Sequence, residues 1–287
     1  MPTFARAPLR IDLAGGWTDV PAFADAEGGA VVSVTIDKYV RGTLGEDGAV
    51  RIAQDVTASG LGASAAEHVV RQALRTPDAD LDDIAEAAFE AERAEGVTGG
   101  RQDQYAACYG GLNFMTFRKP GNGALPVAIQ RIEMPEAHYI ALEKRLVLAD
   151  SGVQRLSGEI HRHVWEAYAR HDDEVTGALL TLKHLGEAMR DALASSDFGG
   201  VKQVLAENWH QQKRLHPSIT YETVEQIFAL ALKNGAAAGK ACGAGGGGAL
   251  VFYASSDADA NRLRSALAAA SVGVIDFTFT GEGLVDE

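Results

Sequence analysis

Gly60-Leu61-Gly62-Ala63-Ser64-Ala65 constrains this chain more than any other stretch, because a glycine-rich loop there runs directly into a helix-like sequence. Two glycines let backbone N–H groups turn toward an anion, and the helix start adds the positive end of its dipole. Such a loop cradles a phosphate without any charged side chain. Ser64 would then offer its hydroxyl to a metal ion held by the same phosphates. The same residues also suit a plain glycine-lined turn before a helix, so the loop alone leaves both readings open.

Charge and composition narrow the function class. At 287 residues the chain has room for two domains. Hydrophobic content of 46% with 23% charged residues is that of a soluble globular protein. Lys and Arg number 26 against 39 Asp and Glu, a formal net charge of −13. That balance argues against a nucleic-acid surface and fits a small-molecule enzyme whose anionic ligands meet a few local cations. Cys108 and Cys242 stand far apart without CxxC spacing, which predicts reduced, buried thiols rather than a disulfide or a zinc site. Neither a secretory signal nor a membrane partner is expected, since no run approaches the roughly 18 apolar residues of a span. A cytoplasmic location is the expectation.

The periodicities predict an α+β chain. Phe4 to Leu13 and Ala30 to Val40 read as strands, followed by a hairpin around Gly45–Gly48 that returns through Val50-Arg51-Ile52. Helical spacing begins at Ser64 and continues past Leu74. A clearer helix runs from Leu81 to Glu95, with Asp80 or Pro77-Asp78 as its start. Leu81, Ile84, Ala85, Ala88 and Phe89 form its apolar stripe, and Glu92 falls next on that stripe. An inward carboxylate is costly unless paired or metal-bound, whereas a stripe that ends at Phe89 leaves Glu92 solvated; spacing alone leaves both open. Leu112 to Phe117, Ala128 to Met134 and Arg145 to Ala149 read as strands. Helices follow from Ser157 onward, with patterns near 176–195, 198–210 and 221–234. The chain then closes with a strand at Val251–Tyr253, a helix at 257–270 and a strand from Val274 to Thr280. Strands early and helices late predict two domains, 1–140 and 141–287.

Gly243–Gly248 contains a literal GxGxxG. A dinucleotide site needs that pattern after a strand and opening a helix, whereas here a helix reads before it and a strand after it. Gly239-Lys240 is followed by Ala241 and lacks the hydroxyl residue of a Walker loop. What remains is a backbone that something approaches closely.

Four segments together resemble the sugar-kinase branch of the GHMP kinase superfamily. They are Arg6-Ala7-Pro8-Leu9-Arg10-Ile11-Asp12-Leu13-Ala14-Gly15-Gly16-Trp17-Thr18-Asp19, the Gly60–Ala65 loop, Gly100-Arg101-Gln102-Asp103-Gln104-Tyr105 with Tyr109-Gly110-Gly111-Leu112-Asn113-Phe114, and Lys240-Ala241-Cys242-Gly243 running into the glycine run. The resemblance spans nearly the whole chain. It implies an N-terminal domain like ribosomal protein S5 domain 2 and a ferredoxin-like C-terminal domain, with the reactants between them. It further implies ATP and Mg2+ as cofactors and transfer of the γ-phosphoryl group to a sugar or sugar-phosphate hydroxyl, a heptose phosphate above all. Another sugar, as in fucose kinases, a cyclitol, or a weakened paralogue that only binds are the alternatives.

The resemblance also assigns roles. Asp103 is the implied catalytic base beside the acceptor hydroxyl, and Arg10 the cation that pairs with it and with the transferred group. Gly15, Gly16, Thr18 and Asp19 correspond to the sugar-binding turn, and Arg155 and Ser157 to contacts with a phosphate or hydroxyl of the substrate. Gly60, Leu61, Gly62, Ala63 and Ser64, with Gly245 and Gly246, correspond to the ATP-binding loops, and Ser64 and Glu92 to the magnesium ligands. His161 and His163 read as helix-surface residues without a role. Oligomeric state stays open, a homodimer among the options. Two departures stand out: Ala63 and Ala65 replace serines that relatives carry, and only twenty positions separate Val40 from Gly60.

Overall fold

A computed structural model describes residues 3–121, 125–153 and 157–286. In chain order its elements are β1 (Phe4–Ala14), α1 (Pro21–Glu27), β2 (Gly29–Leu44), β3 (Val50–Gln54), α2 (Ala63–Arg75), α3 (Leu81–Ala94), α4 (Gln102–Tyr109), β4 (Leu112–Phe117), β5 (Val127–Arg131), α5 (Glu136–Arg145) and β6 (Leu146–Asp150). There follow α6 (Ser157–Ala169), α7 (Asp173–Ala194), α8 (Phe198–Leu215), α9 (Glu222–Lys233), β7 (Ala236–Ala241), β8 (Ala249–Ala254), α10 (Asp257–Ala269), β9 (Gly273–Ile275) and β10 (Val285–Asp286).

Among the described residues the strands form two antiparallel sheets. One has the order β10-β1-β2-β4-β5 with β3 on the outer half of β2, and the other the order β7-β8-β6-β9. Every residue of β1 from Ala7 onward is buried, so both faces of that strand are covered. Helices α2 and α4 pack on it, as do α7 and α8. Gly186 of α7 lies so close to β2 that a Cβ there would fall 2.2 Å from the Ala30 carbonyl oxygen. Side chains cap the helices where the sequence places them: Asp80, Asp172, Asp197 and Ser256 each accept a backbone N–H from the residue three positions on. Cys108 and Cys242 are free, buried thiols, and burial pushes both above the ordinary thiol range.

Two expectations need correction. The glycine run at 243–248 is preceded by a strand, β7, and not directly by a helix, so it connects two antiparallel strands. Ala236-Ala237-Ala238-Gly239-Lys240-Ala241 carries neither β-branched residues nor alternation, and alanines favour helix, which is why the strand gives no local signal. A dinucleotide fingerprint remains excluded, because no helix opens from the run. The closing strand also divides. Gly273–Ile275 pairs with β6, whereas Phe279 bridges Ile36 of β2, so the tail crosses from one sheet to the other.

Candidate active site

The first sheet, the loops around it and the β7–β8 connection enclose a cleft of about 570 Å³. Its floor is β1. Arg10, 3% exposed, donates from Nε to Asp103 Oδ1 at 2.8 Å and from Nη1 to the Gly60 carbonyl at 2.6 Å. Nη2 lies 2.7 Å from the same Asp103 oxygen. One guanidinium thus ties the first turn of α4 to the glycine loop. Burial works against its charge, yet the neighbouring Asp103 and Asp12 raise its pKa beyond the ordinary value.

The loop ends at Gly62, which adopts φ +80° and stands at the N-cap of α2. A Cβ there would combine a left-handed backbone with contact at 3.3 Å to Asp103, so glycine is what lets the Asp103 carboxylate approach. No side chain caps this helix start. Its first N–H groups are therefore open to an anion from the cleft. Gly60 meets Gly243 closely, and the Ala249 N–H donates to the Ser59 carbonyl at 2.8 Å, which locks the two glycine loops together.

Ser64 Oγ donates to Glu92 Oε1 at 2.6 Å, and Gln104 Nε2 donates to Glu92 Oε2 at 2.8 Å. Glu92 is buried, as the stripe on its helix requires if that stripe extends past Phe89. Burial holds its carboxyl above the ordinary range, opposed by the Ser64 hydrogen bond and reinforced by the Asp103 charge. A hydroxyl beside a carboxylate is the hard-oxygen donor set that magnesium takes, and a cation there would relieve the penalty on Glu92. Among the described residues no group of three or more His, Cys, Asp or Glu side chains could hold a metal.

Asp19 accepts the Gln102 N–H at 3.1 Å. Burial raises its pKa to about 7, and the charge of Asp103 adds to the shift. Gly100 closes over it, since a Cβ would lie 1.9 Å from Asp19 Oδ2. Beneath the cleft lies a pair to which the sequence assigns no role. Lys240, fully buried at the end of β7, donates to Asp12 Oδ2 and to the Asp12 carbonyl, both at 2.9 Å. It joins the second sheet to the strand that carries Arg10.

Arg10, Gly16, Asp19, Gly60, Gly62, Ala63, Ser64, Glu92, Asp103 and Gly245 all border this one cleft. Four expected contacts sit elsewhere. Thr18 is fully buried, with its hydroxyl donating to the Gly15 carbonyl at 2.7 Å and accepting the Ala30 N–H at 3.0 Å. The Gly15 N–H donates to Asn208 Oδ1, so both residues shape the turn that presents Asp19. Leu61 turns into the core, and the Gly246 N–H donates to the Ile219 carbonyl. Ala65 is also in the core and does not border the cleft. Arg155 and the side chain of Ser157 lie outside the described residues. His161, read as a surface residue, instead lines the cleft and stacks on Trp17 with ring centroids 4.3 Å apart. Its partner lies far away in sequence, so no local pattern marks it.

Comparison with known proteins identifies the family. The C-terminal region of GHMP kinases matches residues 189–272. The chain is similar to a D-glycero-alpha-D-manno-heptose 7-phosphate kinase of Campylobacter jejuni, with 31% identity over 97% of both chains. It is 29% identical to a bifunctional fucokinase/GDP-fucose pyrophosphorylase of Arabidopsis thaliana, over 73% of this chain and 20% of that one. Among solved structures, a D-glycero-D-manno-heptose 1-phosphate kinase from B. thetaiotaomicron superposes with a TM-score of 0.73 at 24% identity, covering 99% of this chain and 98% of the other. That last likeness speaks to the fold, whereas the full-length identity with the Campylobacter protein speaks to descent: the chain belongs to the GHMP kinase family.

Proposed function

We propose that this protein is an ATP-dependent sugar kinase that phosphorylates D-glycero-D-manno-heptose 7-phosphate to the 1,7-bisphosphate. The observation that carries the reading is the Arg10–Asp103 pair set against the open start of α2. In the reaction the acceptor oxygen attacks the γ-phosphorus, the bond to the bridging oxygen breaks, and ADP leaves. Asp103 orients the acceptor hydroxyl and takes its proton. Arg10 holds that carboxylate in place and faces the charge that develops on the transferred group. The Gly60–Ser64 backbone cradles the phosphates, and Asp19 accepts a hydrogen bond from the sugar. Magnesium would be held by Ser64 and Glu92 and would neutralise phosphate charge.

The charge balance of the cleft supports the metal. Asp12, Asp19, Glu67, Glu92 and Asp103 border it, with Arg10 as the lining cation among the described residues. A nucleotide polyanion entering such a site needs a divalent cation with it. A fucokinase-like acceptor is the second reading, favoured by the similarity to the Arabidopsis protein. We further take residues 1–140 and 141–287 as two domains with the cleft between them, and the cytoplasm as the site of action. Among the described residues no helix is long and apolar enough to cross a membrane.

The test is ADP release by the purified protein with MgATP, over a panel holding the heptose 7-phosphate, the heptose, fucose and common hexose phosphates. A second phosphate resonance on the heptose phosphate by 31P NMR is the expected outcome. No ADP release above the ATPase background with any acceptor would overturn the proposal.

A further inference from the structure

His161 is a cleft residue with no part in the phosphoryl transfer. It sits on α6, one ring face against Trp17 at 4.3 Å with an interplanar angle of 28°. Trp165, one helical turn along, donates its Nε1–H to His161 Nδ1 at 3.3 Å. A neutral imidazole carries one N–H, so a ring that accepts at Nδ1 is protonated at Nε2. Burial keeps the ring neutral, with its pKa pushed down to about 4. Among the described residues nothing pairs with Nε2, yet it is not one of the walled-off polar atoms, and the residue borders the cleft. The surroundings thus hold a single donor in a fixed tautomer and leave it unanswered.

Trp17, which fixes the ring, is itself held in an unusual way. It has φ +80°, a left-handed backbone rare for a bulky residue, and is 5% exposed. Such strain persists only where surrounding structure enforces it, and it gathers at ligand sites. Trp17 is two residues from Asp19, so the turn that offers a carboxylate acceptor to the cleft also positions an imidazole donor.

We infer that His161 donates a hydrogen bond from Nε2 to a hydroxyl of the bound sugar and is a specificity-determining residue of the acceptor site. The inference rests on the sugar-kinase reading. A hydroxyl suits the donor better than a phosphate does: phosphate recognition draws on charged or clustered donors, and this ring is single and uncharged. Acceptor carboxylate and donor imidazole together match a polyol, whose hydroxyls each give and take.

The test compares His161→Phe, which keeps an aromatic ring and loses the N–H, with His161→Gln, which keeps a donor. His161→Phe should raise the KM for the heptose 7-phosphate roughly three- to tenfold, the usual worth of one neutral hydrogen bond. The KM for MgATP and the thermal midpoint should not move, and His161→Gln should recover most of the loss. A heptose phosphate lacking the contacted hydroxyl should bind wild type and His161→Phe equally. If phenylalanine lowers the melting temperature, His161→Met against His161→Gln makes the same comparison at similar length. Unchanged acceptor KM in the variants without a donor, or a rise confined to MgATP, overturns the inference while leaving the kinase intact. Wild-type protein that releases no ADP with any sugar overturns both.

Discussion

Replacing Asp19 by asparagine should make the protein's stability less dependent on pH. Asp19 is 3% exposed and its pKa stands at about 7 against an ordinary 3.8. Because the folded state binds this proton more tightly than the unfolded chain, its contribution is fully present below pH 3.8 and is lost as pH rises through 7. At 1.36 kcal/mol per pKa unit the full span is worth about 4 kcal/mol, of which about 2 to 3 kcal/mol falls between pH 5 and pH 8. Asparagine keeps an oxygen for the Gln102 N–H and carries no charge to bury. Urea unfolding of both proteins at pH 5, 6, 7 and 8, without ligand, gives the difference directly. The wild type should fall behind the variant by about 2 to 3 kcal/mol across that range. A difference constant to within about 0.5 kcal/mol would refute the reasoning, because the carboxyl would then titrate alike in both states. In the wild type the same proton blocks the acceptor role, so affinity for the sugar should strengthen between pH 6 and pH 8.

Two further outcomes follow from the pairs around the cleft. Lys240→Met strands Asp12 in the interior and should lower the unfolding free energy by about 3 kcal/mol or more, with Asp12→Asn added to it restoring part of the loss. A loss under about 1 kcal/mol in denaturant titration would show that the pair does not join the sheets. Ser64→Ala should weaken magnesium-dependent binding of ATP, measured by calorimetry with and without EDTA, while nucleotide binding without metal stays as it was. Equal affinity with magnesium for both proteins would remove Ser64 from the metal site.

Part of the candidate site was legible from strong local patterns, while Arg10, Asp19 and Asp103 entered through the family resemblance. Glu92 follows Leu81, Ile84, Ala85, Ala88 and Phe89 on one helical stripe, and the structure buries it beside Ser64. The glycine loop before α2 and the Asp80 cap of α3 were readable in the same way. The unread parts depend on tertiary context. Helix α4 is buried at nearly every position and shows no polar face, so periodicity cannot mark it, although it carries Asp103. Strand β7 is written in alanines, and its pairing with β8 overrides their helical preference. Lys240 and Asp12 lie 228 positions apart, and His161 and Trp17 are 144 positions apart. Thr18 and Gly15 sit inside a motif whose side chains do not all face the ligand; the buried contacts to Ala30 and Asn208 decide which ones do.

In the proposed reaction Asp103, held by Arg10, orients and deprotonates the acceptor. Single-turnover phosphorylation of the heptose 7-phosphate by Asp103→Asn, with MgATP affinity measured alongside, tests it most directly. The rate should fall by about 10²- to 10⁴-fold with nucleotide affinity unchanged. A variant that transfers phosphate at the wild-type rate would contradict it.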